Sequence, residues 1–341
     1  MPDKIKAVLV GCGGISRAWL GALSQMPEVE VVGLVDVVEE AAHNRAEEFN
    51  LGSAFIGSNL ESVLAATAPD VVFNCTIPEA HVEVTLEALS RGCHVLTEKP
   101  LADTLQGARR LVEAAASSGK MLAVMQNYRY NRGVRALKGF LDEGVIGSPH
   151  TVNVDFYIGA HFGGFRDHMR HVLLVDMAIH IFDMARFITG ADPVSVYCKE
   201  WNPEGSWYDH GASAVAVFEL SGGLVFNFRG SWCAEGLNTS WSGQWRVIGP
   251  KGSVSWDGED GFRAQVVKAT GGFLSELEDV QVPPYEGDKV GGHAGLIRDF
   301  VQAVLSGGQV DTVASDNIRS LAMVFAAVDS AERRLPVDIT I

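Results

Sequence analysis

At 341 residues the chain is long enough for two domains of roughly 100–200 residues each, and 47% hydrophobic against 20% charged residues excludes a disordered or fibrous protein. Its 27 Lys and Arg against 42 Asp and Glu leave a net charge of −15, the wrong sign for a binder of nucleic acid or anionic membranes. Five scattered cysteines without a C-x-x-C pair argue against a zinc ribbon or a disulfide framework and predict reduced thiols in a cytoplasmic protein.

Near the start, the apolar stretch behind Lys4-Ile5-Lys6 ends at Gly11, too short for a signal-peptide core. No apolar run approaches the roughly 18 residues of a membrane helix. Residues 1–125 alternate between β-branched runs and helical patterns. Strands are predicted at 5–10, 29–35, 71–73, 94–96 and 121–125, with helices at 15–25, 39–49, 60–66, 80–90 and 105–117. This alternation predicts βαβ units on a doubly wound parallel sheet, a Rossmann domain over 1–125. The texture then changes. Helices are predicted at 132–143 and 173–189, and from about 193 to 268 the pattern is strand, turn, strand, with strands at 213–220, 224–232, 245–248 and 253–256. Helices at 294–305 and 317–332 and a short strand follow. All Trp but Trp19 fall between 201 and 256, which predicts a second core. The fold class is α/β with a C-terminal α+β domain, over 126–341, built on a large, mainly antiparallel sheet.

The first strand runs into Gly11-Cys12-Gly13-Gly14-Ile15-Ser16, a G-x-G-x-x-G pattern with Ser in the last place. Gly11 permits the tight turn, Gly13 lets backbone approach a pyrophosphate, and Ser16 is small enough for helix–strand packing. The following helix offers its N-terminal amides to phosphate. Asp36, at the end of the second strand, has the spacing of the acid that binds the ribose hydroxyls; no Arg or Lys follows in Val37-Val38-Glu39, so NAD is favoured over NADP. The plain alternative is a surface Asp near the next helix.

Three more segments carry polar groups: Asn74-Cys75-Thr76-Ile77-Pro78-Glu79-Ala80-His81 and Glu98-Lys99-Pro100 at the carboxyl edge of the predicted sheet, and Asp176-Met177-Ala178-Ile179-His180 on a predicted helix. Asp176 and His180, at i and i+4, would share a helical face. The bland reading makes Glu98-Lys99 an exposed ion pair and His180 a core histidine partnered by Asp176. With the glycine loop, Thr-x-Pro-x-x-His at 76–81, Glu98-Lys99-Pro100, Asn127-Tyr128-Arg129 and Asp176-x-x-x-His180 in this order, the sequence resembles the glucose–fructose oxidoreductase / inositol dehydrogenase / rhizopine catabolism (Gfo/Idh/MocA) family over residues 4–335.

The resemblance implies oxidation of a secondary alcohol on a sugar, sugar acid or cyclitol, with NAD as cofactor. Gly11, Gly13, Gly14, Ile15, Ser16, Asp36, Thr76, Pro78, His81, Glu98, Lys99 and Asn127 would hold the dinucleotide. Lys99 would bind the reacting hydroxyl, His180 would act as general base and Asp176 would bind substrate or steady the proton relay, with Pro100 in cis aiming Lys99. The chemistry supports these roles: an imidazole, with an ordinary pKa of about 6.5, can take the hydroxyl proton, and an ammonium stabilises the alkoxide.

The approach to the helix, Arg166-Asp167-His168-Met169-Arg170-His171, departs from the Gly-rich segment of many relatives. Arg129, Arg166 and Arg170 would select an acidic substrate, or pair with Asp155, Asp167 or Glu143. Asp183 is left out of the chemistry. His161, His168, His171 and His180 are spaced too irregularly for a metal site, and none is expected. The Trp201–Tyr208 stretch reads as core, subunit interface or a platform for stacking carbohydrate. Sheet faces with Phe226, Phe228 and Trp232 predict a homodimer or homotetramer joined through the C-terminal sheet. Two other functions stand as alternatives: an NAD-retaining glycosidase working through transient oxidation, which the sequence separates poorly from a dehydrogenase, and a non-catalytic dinucleotide sensor, which would need no proton acceptor.

Overall fold

The computed structural model describes residues 4–341. The chain forms two compact units, one taking in the chain through Tyr130 together with Asp288–Ile318, the other Asn131–Gly287 with Arg319–Ile341. None of the helices among the described residues is long and apolar enough to cross a membrane.

In the first unit six strands pair in parallel: β1 Ile5–Val10, β2 Val29–Val35, β3 Phe55–Gly57, β4 Val71–Asn74, β5 His94–Thr97 and β6 Leu122–Val124, in the order β3-β2-β1-β4-β5-β6. That is the doubly wound arrangement expected, with β3 added. The short β3 escaped the sequence reading because three residues, Phe-Ile-Gly, are too few to show a periodic pattern and stay partly open to solvent. Strand order reverses between β1 and β4, and open α/β sheets bind ligands outside the carboxyl ends of their strands at such a switch point.

A division after residue 125 would leave 288–318 with the C-terminal domain; in the structure this segment packs on the Rossmann sheet. On the helix Gly292–Ser306, Leu296, Ile297, Phe300 and Val301 are fully buried in one core with Leu9, Trp19, Phe73 and Tyr130. Phe73 meets Trp19 and Phe300 edge-on at 5.7 and 6.1 Å. Burying each such side chain stabilises by roughly 1.5–3 kcal/mol, which outweighs sequence distance in deciding where the segment docks.

The second unit carries β7 Thr151–Tyr157, β8 Pro193–Trp201, β9 Ser213–Leu220, β10 Leu224–Ser231, β11 Gln244–Gly249, β12 Gly252–Trp256, β13 Phe262–Ala269, β14 Glu276–Val280 and β15 Val337–Asp338. They form one sheet, β14-β13-β12-β11-β7-β10-β9-β8-β15, antiparallel except for the β7–β10 pair. β7 lies in the middle, yet no strand is predicted there. Asn153 and Asp155 are poor strand formers. Across the ladder they find partners: Asn227 donates to Asn153 at 3.0 Å, and Arg229 grips Asp155 with two bonds of 2.7 and 2.6 Å.

Phe226, Phe228 and Trp232 do not form a subunit face: all three are buried. Phe226 and Phe228 occupy alternate inward positions of β10, Trp232 follows its last residue, and Phe182 of the helix Ile179–Thr189 packs edge-on against Phe226 and Phe228 at 6.0 and 5.3 Å.

Candidate active site

The glycine loop leaves β1 under tight steric control. Gly11 stands at φ +90°, and a Cβ there would lie 2.6 Å from the carbonyl of Cys75 and 2.7 Å from the amide of Thr76. Only glycine fits, because the loop after β4 presses on it. Gly13 and Gly14 have open space where a side chain would stand, and both are exposed. Ser16, in the third small position, is fully buried, and its hydroxyl donates to the Gly13 carbonyl at 2.5 Å.

The loop's hydrogen bonds sort by direction. The Cys12 N–H donates to Asp36 Oδ2 at 2.7 Å, and the carbonyls of Cys12 and Gly13 both accept from Arg45 Nη2 at 3.1 Å. Among the described residues the N–H groups of Gly13, Gly14 and Ile15 find no partner. Arg45 therefore draws carbonyls to one side and leaves donors on the other, at the start of the helix Ser16–Leu23. This is the arrangement a pyrophosphate requires, and the residues fit the dinucleotide. Arg45 was not legible as part of the site, since it lies in the last turn of the helix Glu39–Glu48, 33 residues beyond Cys12.

Asp36 follows β2 half-buried. Besides Cys12 N–H it accepts from Val38 N–H at 2.9 Å, which fixes its carboxylate at the loop's edge. Arg17 and Arg45 both pair with Glu48, so neither stands as an unpaired cation for a 2′-phosphate.

The loops after β4 and β5 are tied together by His81. Its ring is fully buried, with Nδ1 2.7 Å from the Pro100 carbonyl and Nε2 3.1 Å from the Thr76 carbonyl. Burial pushes its pKa below the usual histidine value. With both nitrogens facing backbone, His81 bears on a ligand only by positioning Thr76 and Pro100, which corrects the expectation that it binds cofactor directly. Thr76 in turn donates from Oγ1 to Asn74 Oδ1 at 2.7 Å, and Pro78 opens the helix Pro78–Ser90.

Glu98 is 7% exposed and accepts from Trp19 Nε1 at 2.7 Å and from the Lys99 N–H at 3.2 Å, so it is no surface ion pair. The Lys99–Pro100 peptide is cis, as the resemblance implied. His293, which the sequence reading missed, joins this edge: its Nε2 lies 3.9 Å from Glu98 Oε1 and its Nδ1 3.3 Å from Asn127 Nδ2. Burial lowers its pKa, opposed by Glu98 and assisted by Lys99. Only the return of residues 288–318 to this unit brings it there; the local signal is the preceding Gly291-Gly292 pair at positive φ.

Arg129 is not placed to bind substrate. It is 4% exposed, with Nη2 2.8 Å from Asp316 Oδ2 and Nη1 2.5 Å from the Asp311 carbonyl. A buried guanidinium held by a carboxylate and a carbonyl anchors the fold.

In the second unit the run predicted as one helix over 173–189 begins as a π-helix, Leu173–Ala178, and continues as the α-helix Ile179–Thr189. Asp176 thus lies in the π-helical stretch and His180 in the first turn of the α-helix that continues it. Such π segments are frequent at functional sites. Asp176 accepts from Arg166 Nε at 2.7 Å. Arg170 pairs with Glu332, and His168 with Asp209. His180 is buried. Asp183, also buried, accepts from Ser320 Oγ at 2.7 Å, a structural role. No group of His, Cys, Asp and Glu among the described residues has the arrangement of a metal site.

A doubly wound parallel sheet with an anion-ready glycine loop after β1, a carboxylate after β2 and a lysine after β5 is the frame of a dinucleotide-dependent oxidoreductase. Comparison with known proteins agrees. Residues 5–126 match the model of an oxidoreductase family with an NAD-binding Rossmann fold, and residues 134–255 that of the Gfo/Idh/MocA C-terminal domain. The chain belongs to the Gfo/Idh/MocA family of oxidoreductases. Among its relatives are 1,5-anhydro-D-fructose reductase of Ensifer adhaerens, 27% identical over 95% of each chain, and inositol 2-dehydrogenase/D-chiro-inositol 3-dehydrogenase of Lacticaseibacillus casei, 31% identical over 56% of this chain and 55% of the other. An oxidoreductase of Agrobacterium radiobacter, solved with NAD+, L-tartaric acid and magnesium, has the same fold: TM-score 0.84 over 98% of both chains at 20% identity.

Proposed function

We propose that the protein transfers hydride between a secondary alcohol of a sugar, sugar acid or cyclitol and NAD, rather than NADP. The observation that carries this reading is the first unit's edge, where unpaired loop amides, the Asp36 carboxylate and Lys99 occur on one sheet. The relatives named above act on small cyclic polyols and sugars, which supports the substrate class. NAD, when bound, supplies the hydride acceptor. Gly13, Gly14 and Ile15 bind its phosphates and Asp36 the ribose hydroxyls. Lys99 donates to the alcohol oxygen and stabilises it as the proton leaves. His180 accepts that proton, and Asp176, held by Arg166, orients the substrate. All three cations expected to favour an acidic substrate are tied to carboxylates, Arg129 to Asp316, Arg166 to Asp176 and Arg170 to Glu332, which favours a neutral sugar or cyclitol.

A panel of sugars, sugar acids and inositols, assayed for NAD reduction, tests the proposal. At least one is expected to yield NADH and the corresponding ketone. Release of an aglycone from a glycoside without net NADH would instead favour redox-assisted hydrolysis. We also propose that the outer face of the second unit's sheet joins copies into a dimer or tetramer. Tyr197, Val217 and Val225 there are 37–46% exposed. Light scattering that finds only monomer at micromolar concentration defeats this.

A further inference from the structure

Three aromatic side chains of the second unit stay open to solvent, two of them against Arg166, the partner of Asp176. Phe162 is 44% exposed, Trp241 50% and Phe165 68%. They are not loose. Phe162 rests on the buried Trp232, with ring centroids 5.1 Å apart, and faces Trp241 at 6.3 Å; Trp241 is backed by the buried Phe156 at 6.5 Å. Gly163 and Gly164, at φ +67° and +68°, turn the chain so that Phe162 and Phe165 both meet one cation. The Arg166 guanidinium carbon lies 5.0 Å from the centre of the Phe162 ring and 4.7 Å from that of Phe165. The same guanidinium donates from Nε to Asp176 at 2.7 Å. A continuous path of contacts thus runs from Trp241 through Phe162 and Arg166 to Asp176.

Leaving three large rings half open gives up stabilisation that burial would supply, and contiguous exposed apolar groups on a rigid backing mark a binding surface. The border is polar: neighbouring His161 and His168 are tied to Glu235 and Asp209 at 2.8 and 2.6 Å. A small aromatic patch with charged edges, joined to a substrate carboxylate through a cation, suits a ring with one apolar face and hydroxyls around its rim.

We propose that Phe162, Phe165 and Trp241 form a subsite for a second ring carried by the substrate. The preferred substrate is then a glycoside, a sugar ring bearing another sugar or an aryl group, rather than a free monosaccharide. The second ring stacks its flat face on the exposed aromatics while Asp176 engages the ring to be oxidised. This rests on the role proposed above for Asp176.

Paired methyl and phenyl glucosides, galactosides and mannosides test it by calorimetric binding to the wild-type protein, independently of turnover. At least one phenyl glycoside is expected to bind about five-fold or more tightly than its methyl counterpart, the size of one aromatic stacking contact. Phe165→Ala and Trp241→Ala are each expected to bring that ratio towards one, with melting temperatures showing that both variants fold. Equal affinity within every pair, no binding by any phenyl member, or a phenyl preference that survives both substitutions overturns the subsite. A phenyl preference that responds to the substitutions while no sugar or glycoside reduces NAD would keep the subsite and sink the proposed redox reaction instead.

Discussion

Lys99→Ala and His180→Ala are each expected to lower turnover by about 10²–10⁴-fold on the substrate found in the panel, while NAD affinity stays within a few-fold. The magnitude follows from what each group supplies: a positioned proton acceptor in one case, stabilisation of a developing alkoxide in the other. Lys99 stands half-buried between Glu98, whose carboxylate is anchored by Trp19, and the cis Pro100, whose carbonyl is held by His81. His180 opens the α-helix that continues the π-helix bearing Asp176. Steady-state rates with NAD at saturation, beside NAD binding measured by fluorescence, separate loss of chemistry from loss of cofactor. Near-normal turnover in either variant removes that residue from the reaction.

Asp36→Ala is expected to raise the dissociation constant for NADH about ten-fold or more and to narrow the gap between NADH and NADPH. Two effects combine. The ribose loses its acceptor, and the part-buried Cys12 N–H loses the bond that fixes the glycine loop, a penalty of about 1–3 kcal/mol. Asp36→Asn distinguishes them. It keeps an acceptor oxygen for the loop but removes the charge that repels a 2′-phosphate, so it should relax cofactor choice with a smaller loss of thermal stability. Titrations with both cofactors check this; unchanged affinity for NADH and NADPH in the Ala variant would detach Asp36 from the ribose.

Much of the first unit is written locally. Parallel strands buried on both faces read as continuous apolar runs, such as Ala7-Val8-Leu9-Val10 and Val71-Val72-Phe73, and the glycine loop must follow one of them directly. The glycine loop of 11–16 and the acid at 36 are legible for that reason: their geometry depends on turns that adjacent residues create. The second unit is harder to read. Its central strand β7 alternates with Asn153 and Asp155, and these become good strand residues only once Asn227 and Arg229 lie opposite. The π-helix around Asp176 carries no sequence mark that separates it from an ordinary helix. The cations behaved likewise: the type of Arg129 suggested a ligand, but its burial against Asp316 made it an anchor.

By itself, then, the order of residues determined the strand–helix rhythm, the glycine loop, the acid that follows the second strand and the family, because each is encoded over a few neighbouring positions. Tertiary structure alone decided that 288–318 returns to the Rossmann unit and brings His293 to Glu98, that Arg45 turns the loop's carbonyls, that His81 works from within, and that Phe162 and Phe165 flank Arg166. Those outcomes depend on which apolar faces meet and which polar groups are left to satisfy one another, and such pairings between distant positions leave no periodic trace along the chain.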